Sequence, residues 1–338
     1  MESPILAKVI RGETLESVHR GHLVVMDGEK RILASIGAPE TIAFIRSSAK
    51  AFQAIPMIVS RAADHFGFGD EEIALACASH SGEPMHVKVV ERMLEKTGLT
   101  ESDLKCGSHM PFDNGATKDL IRAGKQPTQL HNNCSGKHSA MLAFAKHTGA
   151  DITTYDDPSH PIQAEILKTM AKFAEIPIDE IRLGIDGCAA PNFAMPVTAM
   201  ARSFANLINP PASFDESVRS ACNRIISAMT KHPELIGGTE RLDTILMQAA
   251  PGNLISKVGA EGVWLCGILP SERYPKGVAI ALKIEDGEDR RARPVVAVDL
   301  LRQLGLLSDN QLAEVSPMPI TNRRGDIVGT TESSLPEF

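Results

Sequence analysis

Strand-like segments at both ends of the chain enclose a long helical middle, and this order limits the folds that its 338 residues can form. The turn-rich Asp27-Gly28-Glu29-Lys30 predicts a hairpin between two of the N-terminal segments. We therefore predict an α/β (α+β) fold in which N- and C-terminal strands form one antiparallel sheet covered by helices. The predicted strands, each a short run bounded by turn residues, are Ile5 to Ile10, His22 to Met26, Arg31 to Ile36, Val263 to Ile268 and Val278 to Ile284.

Helical periodicity dominates the segments between these strands. Apolar residues recur at helical spacing after Lys50, with a kink expected at Pro56. Pro84 and Gly98 are typical of the first residue and the end of another helix. Further amphipathic or buried helices are predicted for Ile162 to Phe173, Val218 to Met229 and Pro294 to Leu306.

The length of the chain suits one large domain. We find no internal repeat and no obvious linker, so we predict a single catalytic domain over residues 1–338. Within it, we expect a sheet part from about 1–45 and 255–338 and a mainly helical part at about 46–254.

Composition and charge restrict the class of protein. Hydrophobic residues make up 43% of the chain and charged residues 23%, which is ordinary for a globular protein. The net charge of -7 disfavours nucleic acid or an anionic membrane as the main partner, so we expect a small-molecule substrate. The sequence has no membrane-length apolar run, and Met1 to Glu13 lacks the apolar core of a signal peptide. We expect a cytoplasmic protein whose six scattered cysteines are thiols.

Ser47-Ser48-Ala49-Lys50 places a hydroxyl and an amine three positions apart at a predicted helix start. Residues i and i+3 share a helix face, so the Lys50 amine can fold back against the Ser47 hydroxyl. Free backbone N–H groups in the first turn can stabilise an oxyanion formed there. The pattern indicates a nucleophile with its base, although the same two residues also recur by chance in surface turns.

Two other segments are dense in polar groups that could act beside this serine. Ala78-Ser79-His80-Ser81-Gly82-Glu83 offers a second hydroxyl, or else its serines only cap the helix that begins near Pro84. Ser256-Lys257-Val258-Gly259 precedes a predicted strand. In serine acyl-transfer enzymes, such a Lys-x-Gly element lies on an edge strand and faces the serine, whereas on its own it indicates an exposed loop lysine.

Two cysteine-containing loops predict either a metal site or buried structural thiols. They are His131 to His138, which reads His-Asn-Asn-Cys-Ser-Gly-Lys-His, and Gly184 to Asn192, which contains Asp186 and Cys188. Two thiolates close in space would suit Zn²⁺ together with a nitrogen ligand. Neither loop has a Cys-x-x-Cys pair, and isolated cysteines are more often structural.

Taken in order, these motifs closely resemble the rhizobial-type (class 3) L-asparaginases of the asparaginase II family. The resemblance spans nearly the full chain, and its most specific segment is Cys134-Ser135-Gly136-Lys137-His138. It implies a fold like that of serine β-lactamases, penicillin-binding proteins and glutaminases. The chain departs from the wider superfamily at Val258, where a hydroxyl or small residue is often found, which weakens any inference of β-lactam binding.

The resemblance also implies roles for individual residues, a zinc ion and a homodimer. Ser47 matches the nucleophile and Lys50 its base partner, while Ser79 and Lys257 match a second Ser–Lys pair. The residues that match zinc ligands are Cys134, Lys137 and Cys188, and those that match the substrate pocket are Arg46, His138 and Asp186.

The resemblance implies hydrolysis of L-asparagine to L-aspartate and ammonia through a serine nucleophile. A zwitterionic substrate needs a carboxylate and a cation in its pocket, and Asp186 and Arg46 are the expected pair. For Lys50 to act as a base, its pKa must fall, and burial beside Lys257 would lower it. The zinc ion would orient the pocket or the substrate rather than activate water.

Three alternatives remain open at this point. A glutaminase or another small-amide serine hydrolase is the nearest, because one methylene separates asparagine from glutamine. A zinc-dependent hydrolase would hold a catalytic ion with Cys134, Cys188 and His138 or His131. A non-catalytic protein would bind a small amide or peptide in the same cleft without converting it.

Overall fold

The computed structural model describes residues 2–337, and its strands form two antiparallel sheets. The larger sheet has the order β10-β11-β1-β2-β9-β8-β7, with β3 also paired to β2, and the smaller has the order β4-β6-β5. The strands are β1 (Ile5–Arg11), β2 (Thr14–Asp27), β3 (Ile32–Ile36), β4 (Ile42–Phe44), β5 (Arg182–Ile185), β6 (Pro191–Pro196), β7 (Leu254–Val258), β8 (Val263–Ile268), β9 (Val278–Ile284), β10 (Met318–Thr321) and β11 (Ile327–Ser333).

The long strand β2 joins the two ends of the chain into one sheet. Its first half pairs with β1, and its second half pairs with β9 on one side and β3 on the other, so that Leu23 lies opposite both Leu282 and Ile36. The side chains of this second half are buried, as expected for a strand covered on both faces. The predicted α/β fold, with an antiparallel sheet formed by N- and C-terminal strands, is confirmed.

Helices cover both faces of the larger sheet. Helix α8 packs against β2, β8 and β9, and α12 packs against β1 and β11. The helices are α1 (Lys50–Val59), α2 (Ala62–His65), α3 (Asp70–Ala76), α4 (Pro84–Thr97), α5 (Asn114–Arg122), α6 (Ser135–Thr148), α7 (Pro161–Ala174), α8 (Val197–Ile208), α9 (Glu216–Lys231), α10 (Pro233–Ile236), α11 (Leu242–Ala249) and α12 (Ala292–Gln303).

The helices predicted from periodicity are present, and the boundaries differ by a few residues. Helix α4 begins at Pro84 and ends before Gly98, whose φ of 63° is the left-handed conformation common after helices. Helix α1 continues through Pro56, where a kink was expected. The interruption comes later, at Arg61, whose φ is 68°.

Two features of the sheets were not predicted. Strand β10 has four residues, and both β10 and β11 are only partly buried, so they lack a strong apolar pattern. The smaller sheet β4-β6-β5 was also not predicted, and two of its strands, β5 and β6, lie within the part predicted to be mainly helical. Strand β7 forms the edge of the larger sheet and contains Lys257, which is fully buried, so the edge-strand interpretation of the Lys-x-Gly element holds and the exposed-loop alternative does not.

No helix within residues 2–337 is long and apolar enough to cross a membrane. All six cysteines are buried free thiols.

Replacing Gly136 by alanine tests the contact between α6 and α3. A β-carbon at this position would overlap the carbonyl oxygen of Leu75, which belongs to the backbone of α3 and cannot easily move aside. We expect the free energy of unfolding, measured in urea, to fall by about 1–3 kcal/mol despite the better helix propensity of alanine. Gly187→Ala is the control, because its β-carbon would meet no atom within 4 Å. Equal effects of the two substitutions would contradict this packing.

Candidate active site

The turn that carries Ser47 is fixed between the two sheets. The Ile45 amide donates a hydrogen bond of 2.9 Å to the Phe193 carbonyl, which extends the pairing of β4 with β6. A 3-10 turn over Arg46–Ala49 then leads directly into α1, so the predicted helix start is confirmed. Ser47 is half-buried, and its hydroxyl has no hydrogen-bond partner among residues 2–337.

Ser48 and Gly259 hold this turn against the edge strand β7. The buried Ser48 hydroxyl donates to the Lys257 carbonyl at 2.7 Å. A β-carbon at Gly259 would lie 2.8 Å from the carbonyl oxygen of Ile45. The glycine of the Lys-x-Gly element therefore allows the turn that carries Ser47 to approach the end of the strand closely.

Lys50 points away from Ser47 and into a ring of acceptors. Its buried ammonium donates to the carbonyls of Ala78 at 2.5 Å and Asn133 at 3.3 Å, and to the hydroxyl of Ser79 at 3.0 Å. The expected contact of Lys50 with the Ser47 hydroxyl is absent from these bonds. Ser79 is thus a hydroxyl of the lysine cluster, which the sequence could not distinguish from a helix cap.

Lys257 is the second buried lysine of this cluster. Its ammonium lies 3.4 Å from a carboxylate oxygen of Asp243 and donates to the Val258 carbonyl at 2.9 Å. Burial lowers the pKa of Lys257 to about 8; Asp243 opposes this shift, and the charge of Lys50 adds to it. The structure therefore assigns a lowered pKa to Lys257, which bonds to Asp243 rather than to the expected Ser79.

Asp243 is the member of the site that sequence reasoning missed. It is buried on α11 and accepts hydrogen bonds from the Ser256 hydroxyl at 2.7 Å and from the Val258 amide at 2.9 and 3.0 Å. Trp264 in turn donates to the Ser256 hydroxyl at 2.9 Å. The only sequence signal was that it is the one charged residue of its helix, because no motif includes it.

Arg46 and Asp186, expected to bind opposite ends of a substrate, are bound to each other. The Arg46 guanidinium donates to one carboxylate oxygen of Asp186 at 2.9 and 3.1 Å, and both side chains are largely shielded from solvent. The Arg46 amide donates to the Asn192 side chain at 3.2 Å. These bonds hold Arg46 at a φ of 53°, a left-handed conformation that is unfavourable for a residue with a β-carbon.

The predicted zinc ligands lie together in a second buried cluster. Lys137 donates to the sulfur of Cys188 at 3.0 Å. The thiol of Cys134 lies against Cys188 and, together with Lys137, holds the pKa of Cys188 well below its usual range. The cluster therefore brings two sulfurs and an amine together in one buried place. The sequence predicted a metal site on the condition that the loops at 131–138 and 184–192 lie close together, and they do.

His138 belongs to the thiol cluster and does not line an open cleft. It is completely buried, and its Nδ1 atom lies 2.7 Å from the Tyr155 hydroxyl. Burial lowers the pKa of His138, and the neighbouring Cys188 opposes that shift. Its Nε2 atom is buried without a hydrogen-bond partner among the described residues. His131 instead accepts from the Thr128 amide at 3.1 Å, in its own 3-10 turn.

Comparison with models of protein families identifies the family of this chain. The family model for L-asparaginase II matches residues 7–333. The chain belongs to the L-asparaginase II family. The resemblance stated from the motifs is thereby confirmed, and membership supports an amidohydrolase.

Several solved structures of low identity overlap most of the chain. A β-lactamase from Mycobacterium bovis is 12% identical to this chain, and the superposition covers 84% of this chain and 94% of the β-lactamase, with a TM-score of 0.43. A probable glutaminase from Bacillus subtilis, complexed with 6-diazo-5-oxo-L-norleucine, is 10% identical and covers 85% of each chain, with a TM-score of 0.44. A covalent complex of a Bacillus subtilis glutaminase with 5-oxo-L-norleucine is 11% identical, at 85% and 89% coverage and a TM-score of 0.43. No curated protein sequence matches significantly.

Replacing Lys257 by methionine tests the lowered pKa of this lysine. Its folded pKa of about 8 lies below the ordinary 10.5, so between these values the folded protein binds fewer protons than the unfolded chain. The stability of the wild type relative to Lys257→Met should therefore rise with pH across that window, by at most about 1.4 kcal/mol per pH unit, and stay constant below it.

The measurement is urea unfolding of both proteins from pH 7 to 10. Lys88→Met, which removes an exposed lysine, controls for the loss of one charge. A stability difference that is independent of pH above 8 would contradict the assignment.

Proposed function

We propose that this amidohydrolase hydrolyses L-asparagine to L-aspartate and ammonia, with Ser47 as the nucleophile. Membership of the L-asparaginase II family supports the substrate class. The observation that carries the mechanism is that the Ser47 hydroxyl makes no hydrogen bond among residues 2–337, while the turn that carries it is joined to the buried lysines. Ser48 donates to the Lys257 carbonyl, and Lys50, which donates to Ser79, begins the helix after the turn. An unbonded hydroxyl next to basic groups is what a nucleophile requires.

In this proposal the Ser47 oxygen attacks the side-chain amide carbon while its proton passes to the uncharged form of Lys257, and Lys257 later returns a proton to Lys50. The Ser47 amide stabilises the negative charge that develops on the carbonyl oxygen, because the Arg46 and Ser48 amides already donate to Asn192 and Ile45. Ser79 then passes a proton from Lys50 to the departing nitrogen, which leaves as ammonia. Water attacks the resulting ester of Ser47, releases L-aspartate and restores the serine hydroxyl.

The residues around Cys188 fit a zinc ion. Two sulfurs and the Lys137 amine are suitable zinc donors once deprotonated, and His138 adds a buried Nε2 atom that lacks a partner among the described residues. We propose that Cys134, Lys137 and Cys188 hold the ion. Bound there, zinc would supply a positive charge that orders the loops around the substrate.

Other properties stay predictions from the sequence. A homodimer and a cytoplasmic location are expected, and a small amino-acid amide is the expected partner.

Ser47→Ala should abolish ammonia release from asparagine while leaving the urea unfolding curve unchanged within about 0.5 kcal/mol, because the removed hydroxyl bonds to nothing that stabilises the turn. Ser60→Ala, at the end of α1, is the control and should retain turnover. Ammonia is measured with asparagine, glutamine and a chromogenic β-lactam in parallel. Turnover that survives Ser47→Ala but is lost on chelation would instead favour a zinc-dependent hydrolase.

Cys134→Ser and Cys188→Ser should each lower the zinc content of the purified protein at least tenfold and weaken binding of asparagine, since a serine hydroxyl is a poor zinc ligand. Mass spectrometry of the metal content checks this without reference to activity. Cys222→Ser removes a buried thiol from α9 and should keep the metal. If untreated wild-type protein contains no zinc, the ligand assignment is wrong.

A further inference from the structure

A polar cavity of about 600 Å³ opens beside the edge strand β7. Val258, the residue next to Lys257, forms part of its wall. The other residues of the wall that matter here are Phe112, Glu240, Arg241, Arg290 and Arg293. The cavity thus reaches the strand that carries the second lysine of the candidate active site, and it is large enough for a small amino acid.

Arg241 is a partly buried cation without a partner. Its guanidinium makes no hydrogen bond and no ion pair with residues 2–337, and its central carbon lies 5.3 Å from the centre of the Phe112 ring. Such stacking fixes the plane of a guanidinium while leaving its N–H groups free. Burial lowers the pKa of Arg241, and the carboxylates of Asp243 and Asp289 offset this only through their charge. The free N–H groups can therefore bind an anion that enters the cavity.

The other arginines near the site are already committed. Arg293 donates to the Gly259 carbonyl at 2.6 Å and to Asp289 at 2.5 Å. Arg46 is bound to Asp186 through two of its nitrogens. Arg290 lines the same cavity but is exposed, and no ring or carboxylate among residues 2–337 fixes its guanidinium. A substrate carboxylate that entered this cavity would therefore meet Arg241 as the cation whose free donors are held in a fixed plane.

We infer that Arg241 binds the α-carboxylate of the amino-acid substrate and that Glu240 receives its α-ammonium group, which makes this cavity the specificity pocket. The inference rests on the proposed hydrolysis of an amino-acid amide. A guanidinium and a carboxylate form two parallel hydrogen bonds, so the planar, pre-stacked Arg241 suits that group. The exposed carboxylate of Glu240 lines the same cavity and supplies the opposite charge. This arrangement replaces the expected roles of Arg46 and Asp186.

The test compares asparagine with two analogues that keep the side-chain amide. 3-Aminopropanamide lacks the α-carboxylate, and succinamic acid lacks the α-ammonium group. Arg241→Gln should lower kcat/KM for asparagine at least tenfold, mainly through KM, and should change kcat/KM for 3-aminopropanamide less than twofold. Glu240→Gln should likewise lower kcat/KM for asparagine at least tenfold, and it should change kcat/KM for succinamic acid less than twofold.

Arg323→Gln removes the same charge from the exposed turn between β10 and β11, outside the cavity, and should leave all three substrates unaffected. Equal losses for asparagine and 3-aminopropanamide in Arg241→Gln would overturn the inference, since they would indicate a structural role. It would also be overturned if Arg46→Gln, and not Arg241→Gln, removed the preference for asparagine.

Calorimetric titration with L-aspartate separates this inference from the proposed function. If wild-type protein releases no ammonia from asparagine, the proposed function fails, and the dissociation constant of L-aspartate decides the role of Arg241. A constant at least tenfold weaker in Arg241→Gln than in wild type and Arg323→Gln supports the inference. An unchanged constant, or no binding to the wild type, overturns it.

Discussion

The burial of two lysine ammonium groups in one pocket is the constraint on which the rest of the site depends. Removing an ammonium from water is costly unless acceptors replace its hydration. For Lys50 these are the carbonyl and hydroxyl groups of the Ala78–Ser79 connection and the carbonyl of Asn133. For Lys257 they are Asp243 and the carbonyl of Val258. The turn before α4, the loop before α6 and the edge strand β7 must therefore converge on one point, and the serine turn is fixed where they meet.

The lysine cluster and the thiol cluster are coupled through short stretches of backbone. Asn133 supplies a carbonyl to Lys50, and the next residue, Cys134, lies in the thiol cluster. On the other side, Asp186 holds Arg46 next to Ser47, and Cys188 follows two residues later. A change in the charge or ligation of the thiols would thus shift the residues on both sides of Ser47, because the connecting backbone is short and hydrogen-bonded.

The sequence predicts features that depend on neighbouring residues better than features that depend on contacts between distant parts of the chain. Helices such as Pro161–Ala174 and strands such as Val263–Ile268 were predictable because their patterns depend on local periodicity. The grouping of Ser47 with Lys257 was available only from the combined motifs. Asp243 was not predictable, because its role comes from a contact between α11 and β7 that no local pattern encodes. The direction of the Lys50 side chain was also beyond reach, since i, i+3 spacing permits a contact with Ser47 but does not exclude stronger acceptors elsewhere.

The conformation of Arg46 explains why an expected substrate cation is used for structure. A residue with a β-carbon at a φ of 53° costs about 1–2 kcal/mol relative to an ordinary turn, so the surrounding contacts must impose it. The Asp186 carboxylate and the Asn192 side chain do so by binding the guanidinium and the amide of this one residue. If a substrate carboxylate displaced Asp186, it would release the conformation that orients Ser47 and leave a shielded carboxylate unpaired. Orienting the proposed nucleophile and binding the charged groups of the proposed substrate are therefore incompatible roles for Arg46, which is why we assign the second role to a different arginine.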